Sequence, residues 1–227
     1  MGGQACVLYG AAEFSRDADF AILASPENLD RLGRAVDALG GEVIAVPPFK
    51  ADYLRRGHAV HFRCRHPEAD GFRIDVMARL RGVDPFEALW SRRTTWDLPG
   101  DLRVESLALP DLVASKKTQR DKDWPMVRRL VEVSYDRDYP SPTPERITFW
   151  LLELRTPELL IECAARFPGE AERIAVEREA VGRAGAGDVD AVRECLLREE
   201  LRERAADRDY WAPLRAELQA LRRSRER

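Results

Sequence analysis

Several signals of membrane, secreted and zinc-binding proteins are missing from this 227-residue sequence. No apolar stretch approaches the roughly 20 residues that cross a bilayer, and the N-terminus does not resemble a signal peptide. The four cysteines, Cys6, Cys64, Cys163 and Cys195, form no CxxC pair and no metal-like spacing. We therefore expect a cytoplasmic protein with reduced cysteines and no membrane partner.

Histidine is also scarce, and its three copies, His58, His61 and His66, fall in one stretch. A zinc site is a weak interpretation of this cluster, because His58 and His61 have opposite parity on a strand and only Cys64 lies near them. The sequence also has no strong net charge of either sign, because 37 Lys and Arg oppose 40 Asp and Glu and leave a net charge of -3. This balance argues against a generally polyanion-binding surface but allows a local basic patch. The basic end, Arg215–Arg227, is either a solvated helix face or a contact for RNA.

Two carboxylates that lie one residue apart, Asp17 and Asp19, are the most informative feature that is present. The apolar run Phe20–Leu23 predicts that they belong to a strand, where side chains at i and i+2 project from the same face. Paired carboxylate oxygens suit a hard divalent ion such as Mg²⁺. Asp75, in the apolar segment Phe72–Met77, is a third candidate ligand on a second strand. An ion pair of Asp75 with Arg63 or Arg65 is the alternative interpretation.

The spacing of these residues resembles that of the DNA polymerase β-like nucleotidyltransferases. Their motif is a Gly-Gly or Gly-Ser pair, an Asp-x-Asp or Asp-x-Glu pair, and a later carboxylate on a neighbouring strand. Here Gly2 and Gly3 are followed by thirteen residues, then by Asp17-Ala18-Asp19 and later by Asp75. The similarity is greatest to the small bacterial branch with toxin-like and antitoxin-like members, and it covers about residues 2–135. Members usually carry a helix and part of a strand before the glycines, where this sequence has Met1 alone, and we expect a weaker nucleotide pocket if that element is lost.

The resemblance implies transfer of a nucleoside monophosphate from an NTP to a hydroxyl acceptor, on tRNA or on a protein, with Mg²⁺ or Mn²⁺ as cofactor. It implies that three aspartates are catalytic and bind metal, and that five residues bind the nucleotide. The catalytic and metal-binding set is Asp17, Asp19 and Asp75, the nucleotide-binding set is Gly2, Gly3, Ser15, Arg16 and Lys116, and the further candidates are Lys117, Arg120 and Asp123. The segment Lys116–Asp123 is equally well explained as a solvated helix end.

Local patterns predict an α/β (α+β) fold, with a mixed N-terminal half followed by a helical C-terminal domain. The resemblance implies that the N-terminal half is a nucleotidyltransferase-like mixed sheet flanked by helices. A helix is predicted to begin at Ser25 and Pro26 and to end at Gly40-Gly41. An antiparallel hairpin is predicted from two strands, residues 58–65 and 72–79. Three alternating prolines in Tyr139–Pro144 mark a linker, so the predicted domains are 1–138 and 144–227. Other predicted elements are a strand over 42–46, a strand near 102–107, and helices over 3–10, 124–133, 144–164 with an interruption at Thr156-Pro157, 168–183 and 188–223.

Two other functional classes remain open from the sequence. A non-catalytic, antitoxin-like module of the same fold would use the acidic cleft to bind a partner. A metal-dependent phosphohydrolase would release its product without an acceptor. Fold does not fix function here, and loss of metal-dependent NTP binding on replacement of Asp17 and Asp19 would separate an enzyme from a binding module.

Overall fold

The computed structural model describes residues 1–225 and divides the chain into two compact units. The first unit combines Met1–Ser115 with the chain from Arg208 onward, and the second is Lys116–Asp207. The first contains all the strands among the described residues, whereas the second is helical. The molecule is therefore a mixed α+β protein that is mostly helical. None of the described helices combines the length and the apolar character that a membrane span requires.

A small mixed sheet organises the first unit. Its four strands lie in the order β1-β4-β3-β2, in which β1 and β4 are parallel and the other pairs are antiparallel. A separate hairpin pairs β5 with β6. The strands are β1 (Asp17–Ala21), β2 (Glu42–Val43), β3 (Val60–Arg63), β4 (Arg73–Met77), β5 (Thr94–Leu98) and β6 (Leu102–Ser106).

Five α-helices begin in the described part of the first unit, which also contains the sheet and the hairpin. The N-cap of α2 is Ser25, whose Oγ accepts a hydrogen bond from the backbone N–H of Asn28 at 3.3 Å, as the sequence predicts. The helices are α1 (Gly2–Leu8), α2 (Pro26–Ala38), α3 (Ala51–Arg56), α4 (Phe86–Ser91) and α5 (Leu109–Lys116, whose last residue belongs to the second unit). The core beneath the sheet consists of Ile22, Val36, Leu54, Val60, Phe62, Cys64, Ile74 and Val76.

Three of the six described helices that build the second unit begin with proline. Proline fits the first turn because it has no N–H to leave unpaired there. The helices are α6 (Asp123–Asp138), α7 (Pro144–Glu153), α8 (Pro157–Arg166), α9 (Pro168–Ala175), α10 (Glu179–Gly185) and α11 (Val189–Arg225, which continues into the first unit). Arg178, between α9 and α10, is buried and donates to the carbonyl oxygens of Leu151 and Leu154 and to the Glu199 carboxylate.

The structure differs from the predicted elements at several points. The compact units divide after Ser115, and the last part of α11 belongs to the first unit. The domain boundary at the Tyr139–Pro144 segment stays a prediction. The predicted strand over 42–46 is shortened to Glu42–Val43, and the predicted helix over 168–183 is broken where the buried Arg178 leaves the helical path. Asp123 begins α6 as expected, and the predicted hairpin is confirmed as β3 and β4.

Candidate functional site

The three predicted aspartates lie on neighbouring strands of the sheet. In the parallel pairing of β1 with β4, Asp19 is the direct partner of Asp75, and Asp17 is the partner of Arg73. Because residues two apart on a strand share a face, Asp17, Asp19, Asp75 and Arg73 all belong to one face. His61 joins them, since it is the partner of Asp75 on β3. The structure therefore brings the predicted carboxylates together and adds two residues that the prediction did not include.

Arg73 holds Asp75 through both carboxylate oxygens. Its Nε lies 2.8 Å from Oδ1 of Asp75 and its Nη2 lies 2.7 Å from Oδ2, which is the bidentate geometry that a guanidinium forms with a carboxylate. The Nδ1 atom of His61 is 2.8 Å from Oδ1 of Asp75. Burial pushes the pKa of Asp75 upward, but the hydrogen bonds to His61 and Arg73 outweigh it and hold the pKa below its ordinary value. Asp75 is consequently a carboxylate at neutral pH.

The alternative prediction, an ion pair of Asp75 with Arg63 or Arg65, is wrong. Arg65 pairs instead with Glu42, at 3.1 Å, and Arg63 is the register partner of Arg73 on the neighbouring strand. The cationic partner of Asp75 comes from its own strand, two residues earlier. The strand periodicity alone contained this signal, because the Arg-x-Asp spacing of β4 places both side chains on one face.

The two glycines of α1 pack directly on the strand that carries the aspartates. A Cβ added to Gly2 would lie 1.8 Å from Oδ2 of Asp19, and one added to Gly3 would lie 2.3 Å from Oγ of Ser15. Gly2 also has a positive φ of 69°, which side chains other than glycine rarely adopt. The backbone at the start of α1 therefore approaches the carboxylates more closely than any other residue type permits.

Ser15 and Arg16 precede the strand and differ in how firmly they are held. The Ser15 hydroxyl donates to Oδ1 of Asp17 at 3.0 Å, so it orients the first carboxylate. The Arg16 side chain is exposed, and its guanidinium lies 5.8 Å from the centre of the Phe14 ring. Arg16 is thus a cation next to the acidic face that is open to solvent.

The later candidates that the resemblance implies all belong to the second unit: Lys116, Lys117, Arg120 and Asp123. Asp123 is buried, with its Oδ2 2.7 Å from Nε of Arg120 and its Oδ1 3.9 Å from Nζ of Lys116. The Thr118 hydroxyl lies 2.5 Å from the same Oδ2. Lys117 instead pairs with Glu153 at 2.7 Å. Lys116, Arg120 and Asp123 therefore form a local cluster at the start of α6 that stabilises the turn before that helix.

The donor atoms of the carboxylate face suit a divalent cation, but the side chains that carry them do not converge on one point. Asp17, Asp19 and Asp75 supply only carboxylate oxygens, the ligands that Mg²⁺ prefers. Over residues 1–225, however, no three Asp, Glu, His or Cys side chains converge as a ready group around one point. Arg73 supplies positive charge at this face, since its pKa is raised mainly by the hydrogen bond to Asp75 and further by the charges of Asp17 and Asp19.

The three histidines do not gather as a zinc site. Nε2 of His58 lies 2.7 Å from Oε2 of Glu217, a residue of the same compact unit. His61 contacts Asp75, and Nδ1 of His66 accepts a hydrogen bond from the backbone N–H of Glu68. Each histidine therefore has its own separate local role.

A small, mainly apolar recess of about 70 Å³ lies beside β1 in the first unit. Phe20, which follows Asp19 in sequence, and Trp90 of α4 are each 47% exposed. Arg93 lies over the Trp90 ring at 4.1 Å and pairs with Glu105 at 3.0 Å. Aromatic and apolar surface is therefore available next to the strand that carries the aspartates.

No protein-family model, curated protein or solved structure matches this chain.

Proposed function

We propose that this chain is a cytoplasmic, Mg²⁺-dependent nucleotidyltransferase that transfers a nucleoside monophosphate from an NTP to a hydroxyl of tRNA or of a protein. One observation carries the proposal. Asp17 and Asp19 share a face with Asp75 through the register of β1 and β4, and the Gly2-Gly3 backbone packs directly against that face. The sheet thus places together the acids that the motif separates by more than fifty residues.

The proposed roles follow from what each residue touches. Asp17 and Asp19 would hold the metal, and the Ser15 hydroxyl orients Asp17 for this task. The exposed Arg16 guanidinium would bind phosphate oxygens, and the glycines would let the triphosphate approach the backbone. When bound, Mg²⁺ would neutralise charge on the triphosphate and on its leaving group.

Asp75 would accept the proton of the attacking hydroxyl. Its lowered pKa keeps it ionised but makes it a weak base while Arg73 is bound to it. Lys116, the cation that the resemblance assigns to the nucleotide, pairs with Asp123 in the second unit. We retain Lys116 as a candidate phosphate ligand, with Lys117, Arg120 and Asp123 as its neighbours.

The second candidate function is a binding module that performs no catalysis, as in an antitoxin. The contact that favours it is the bidentate pair of Arg73 with Asp75. This pair neutralises one of the three acids without any metal, as a face built only for recognition would do.

Label transfer separates these candidates. Each α-labelled NTP would be incubated with the protein, with Mg²⁺ or Mn²⁺, and with total bacterial RNA and protein. We expect label in one acceptor fraction with the wild type and none with Asp17→Ala/Asp19→Ala. The matched control is Asp30→Ala/Asp37→Ala, which removes two exposed acids of α2 and should retain transfer.

Two other outcomes point elsewhere. Absence of transfer by the folded wild type, with every nucleotide and both metals, would contradict the enzyme and favour the binding module. Release of labelled mononucleotide without any labelled acceptor would indicate the phosphohydrolase.

A further inference from the structure

Arg73 occupies a special position on the carboxylate face. It pairs with both oxygens of Asp75 and is the cross-strand partner of Asp17. Asp19 is the direct partner of Asp75 and lies on the same face. One guanidinium therefore binds one of the acids that would hold a divalent cation and shares a face with the other two.

The fork of Arg73 and a metal ion compete for the same oxygens. A carboxylate offers about four lone-pair positions. Two nitrogens of Arg73 and one nitrogen of His61 contact the oxygens of Asp75, so three of these positions are already used. A divalent cation next to a fixed guanidinium would also experience charge repulsion. Asp75 is thus poorly available to a metal while Arg73 remains in place.

The exposure of the two partners shows which one can move. The Arg73 side chain is 42% exposed, whereas the Asp75 side chain is 12% exposed. The aspartate is held by the packed strand, but the arginine can swing toward solvent around its own flexible stem. A polyanion at the mouth of the site would attract it, because guanidinium binds phosphate oxygens bidentately.

We propose that Arg73 is an exchangeable internal cation that keeps Asp75 from binding a metal until the triphosphate of the substrate draws the guanidinium away. This proposal rests on the proposed function and deepens it. Metal and triphosphate then bind together, and a metal ion alone binds weakly. Arg73 is a positioning residue in this scheme, since it acts by releasing Asp75 and by contacting phosphate.

The first test measures Mn²⁺ binding without any nucleotide, by electron paramagnetic resonance of the free ion. We expect Arg73→Gln to tighten the Mn²⁺ Kd by on the order of tenfold, the scale of one charge interaction at a part-exposed site. The matched control is Arg63→Gln, which removes the same charge from the register partner on β3 and should leave Kd within about twofold. In Arg73→Gln/Asp75→Asn the gain should disappear.

The second test measures the binding of inorganic tripolyphosphate in EDTA, by calorimetry. Here Arg73→Gln should weaken binding several-fold, because the phosphate loses its guanidinium. Opposite effects on Mn²⁺ and on tripolyphosphate are the signature of an exchangeable cation, and a purely structural arginine would weaken both. Unchanged or weaker Mn²⁺ binding by a folded Arg73→Gln protein would overturn the proposal.

A second variant covers the case in which Arg73→Gln does not fold. Arg73→Lys keeps the charge but cannot form the fork, so it should tighten Mn²⁺ binding by less than Arg73→Gln would. Unchanged or weaker Mn²⁺ binding by this variant would also contradict the proposal. None of these measurements requires nucleotide transfer, so failure of the label-transfer experiment would be distinguishable from failure here.

Discussion

Replacement of Gly3 by alanine tests whether the start of α1 must touch the strand that carries the aspartates. The new Cβ would lie 2.3 Å from Oγ and 2.9 Å from Cβ of Ser15. Overpacking of this kind costs about 1–3 kcal/mol. If Ser15 rotates away, its hydrogen bond to Asp17 is lost, which adds about 1 kcal/mol for a part-exposed bond. We expect Gly3→Ala to lower the free energy of unfolding by about 2–4 kcal/mol.

Differential scanning calorimetry would measure this effect as a fall in Tm of about 5–15 °C. The control is Gly33→Ala in α2, where the nearest atom to an added Cβ is 3.9 Å away on Phe49. This change should stabilise by about 0.5–1 kcal/mol, because alanine loses less backbone entropy in a helix. In a Ser15→Gly background the cost of Gly3→Ala should fall below about 1 kcal/mol. A Gly3→Ala protein that melts at the wild-type temperature would refute the reasoning.

Two further predictions concern charge. The folded-state pKa of Asp75 is lowered, so its ionised form stabilises the protein above the unfolded pKa of about 4, and this contribution is lost as the pH falls through the folded pKa. Asp75→Asn should therefore flatten the acid limb of a Tm-against-pH curve, and an unchanged limb would contradict this. Glu199→Ala should destabilise by about 3–5 kcal/mol in urea denaturation, because it leaves Arg178 buried without its carboxylate. The exposed Glu179→Ala should change little, and equal losses in both variants would exclude the burial argument.

Much of the local structure is predictable from the sequence because short-range chemistry determines it. The hydroxyl and the proline at Ser25-Pro26 begin α2, and the apolar residues around Asp75 form β4. The shared face of Asp17 and Asp19 follows from strand periodicity alone. Their register with Asp75 depends on how two distant strands pair, so the sequence suggests it only through the family resemblance.

The features that the sequence does not predict depend on long-range packing. The strand β5 (Thr94–Leu98) contains the strand-forming residues Thr94, Thr95 and Trp96, but it is too short for periodicity to identify, and its pairing is set by β6. Arg178 resembles a solvated charge, yet it is buried because two carbonyl oxygens and Glu199 satisfy it. The Arg-x-Asp spacing of β4 places Arg73 beside Asp75, but its position opposite Asp17 depends on how the distant strands β1 and β4 pair.

The discontinuity of the first unit affects the order in which the protein can fold during synthesis. Domains generally fold as units while the chain grows from its N-terminus. The second unit is one continuous segment, but the first needs the end of α11, where Glu217 pairs with the buried His58. The ribosome therefore makes the proposed catalytic sheet first, although that unit is completed last. A ribosome-bound chain that stops before Arg208 would carry the aspartates without the helix segment that finishes their unit.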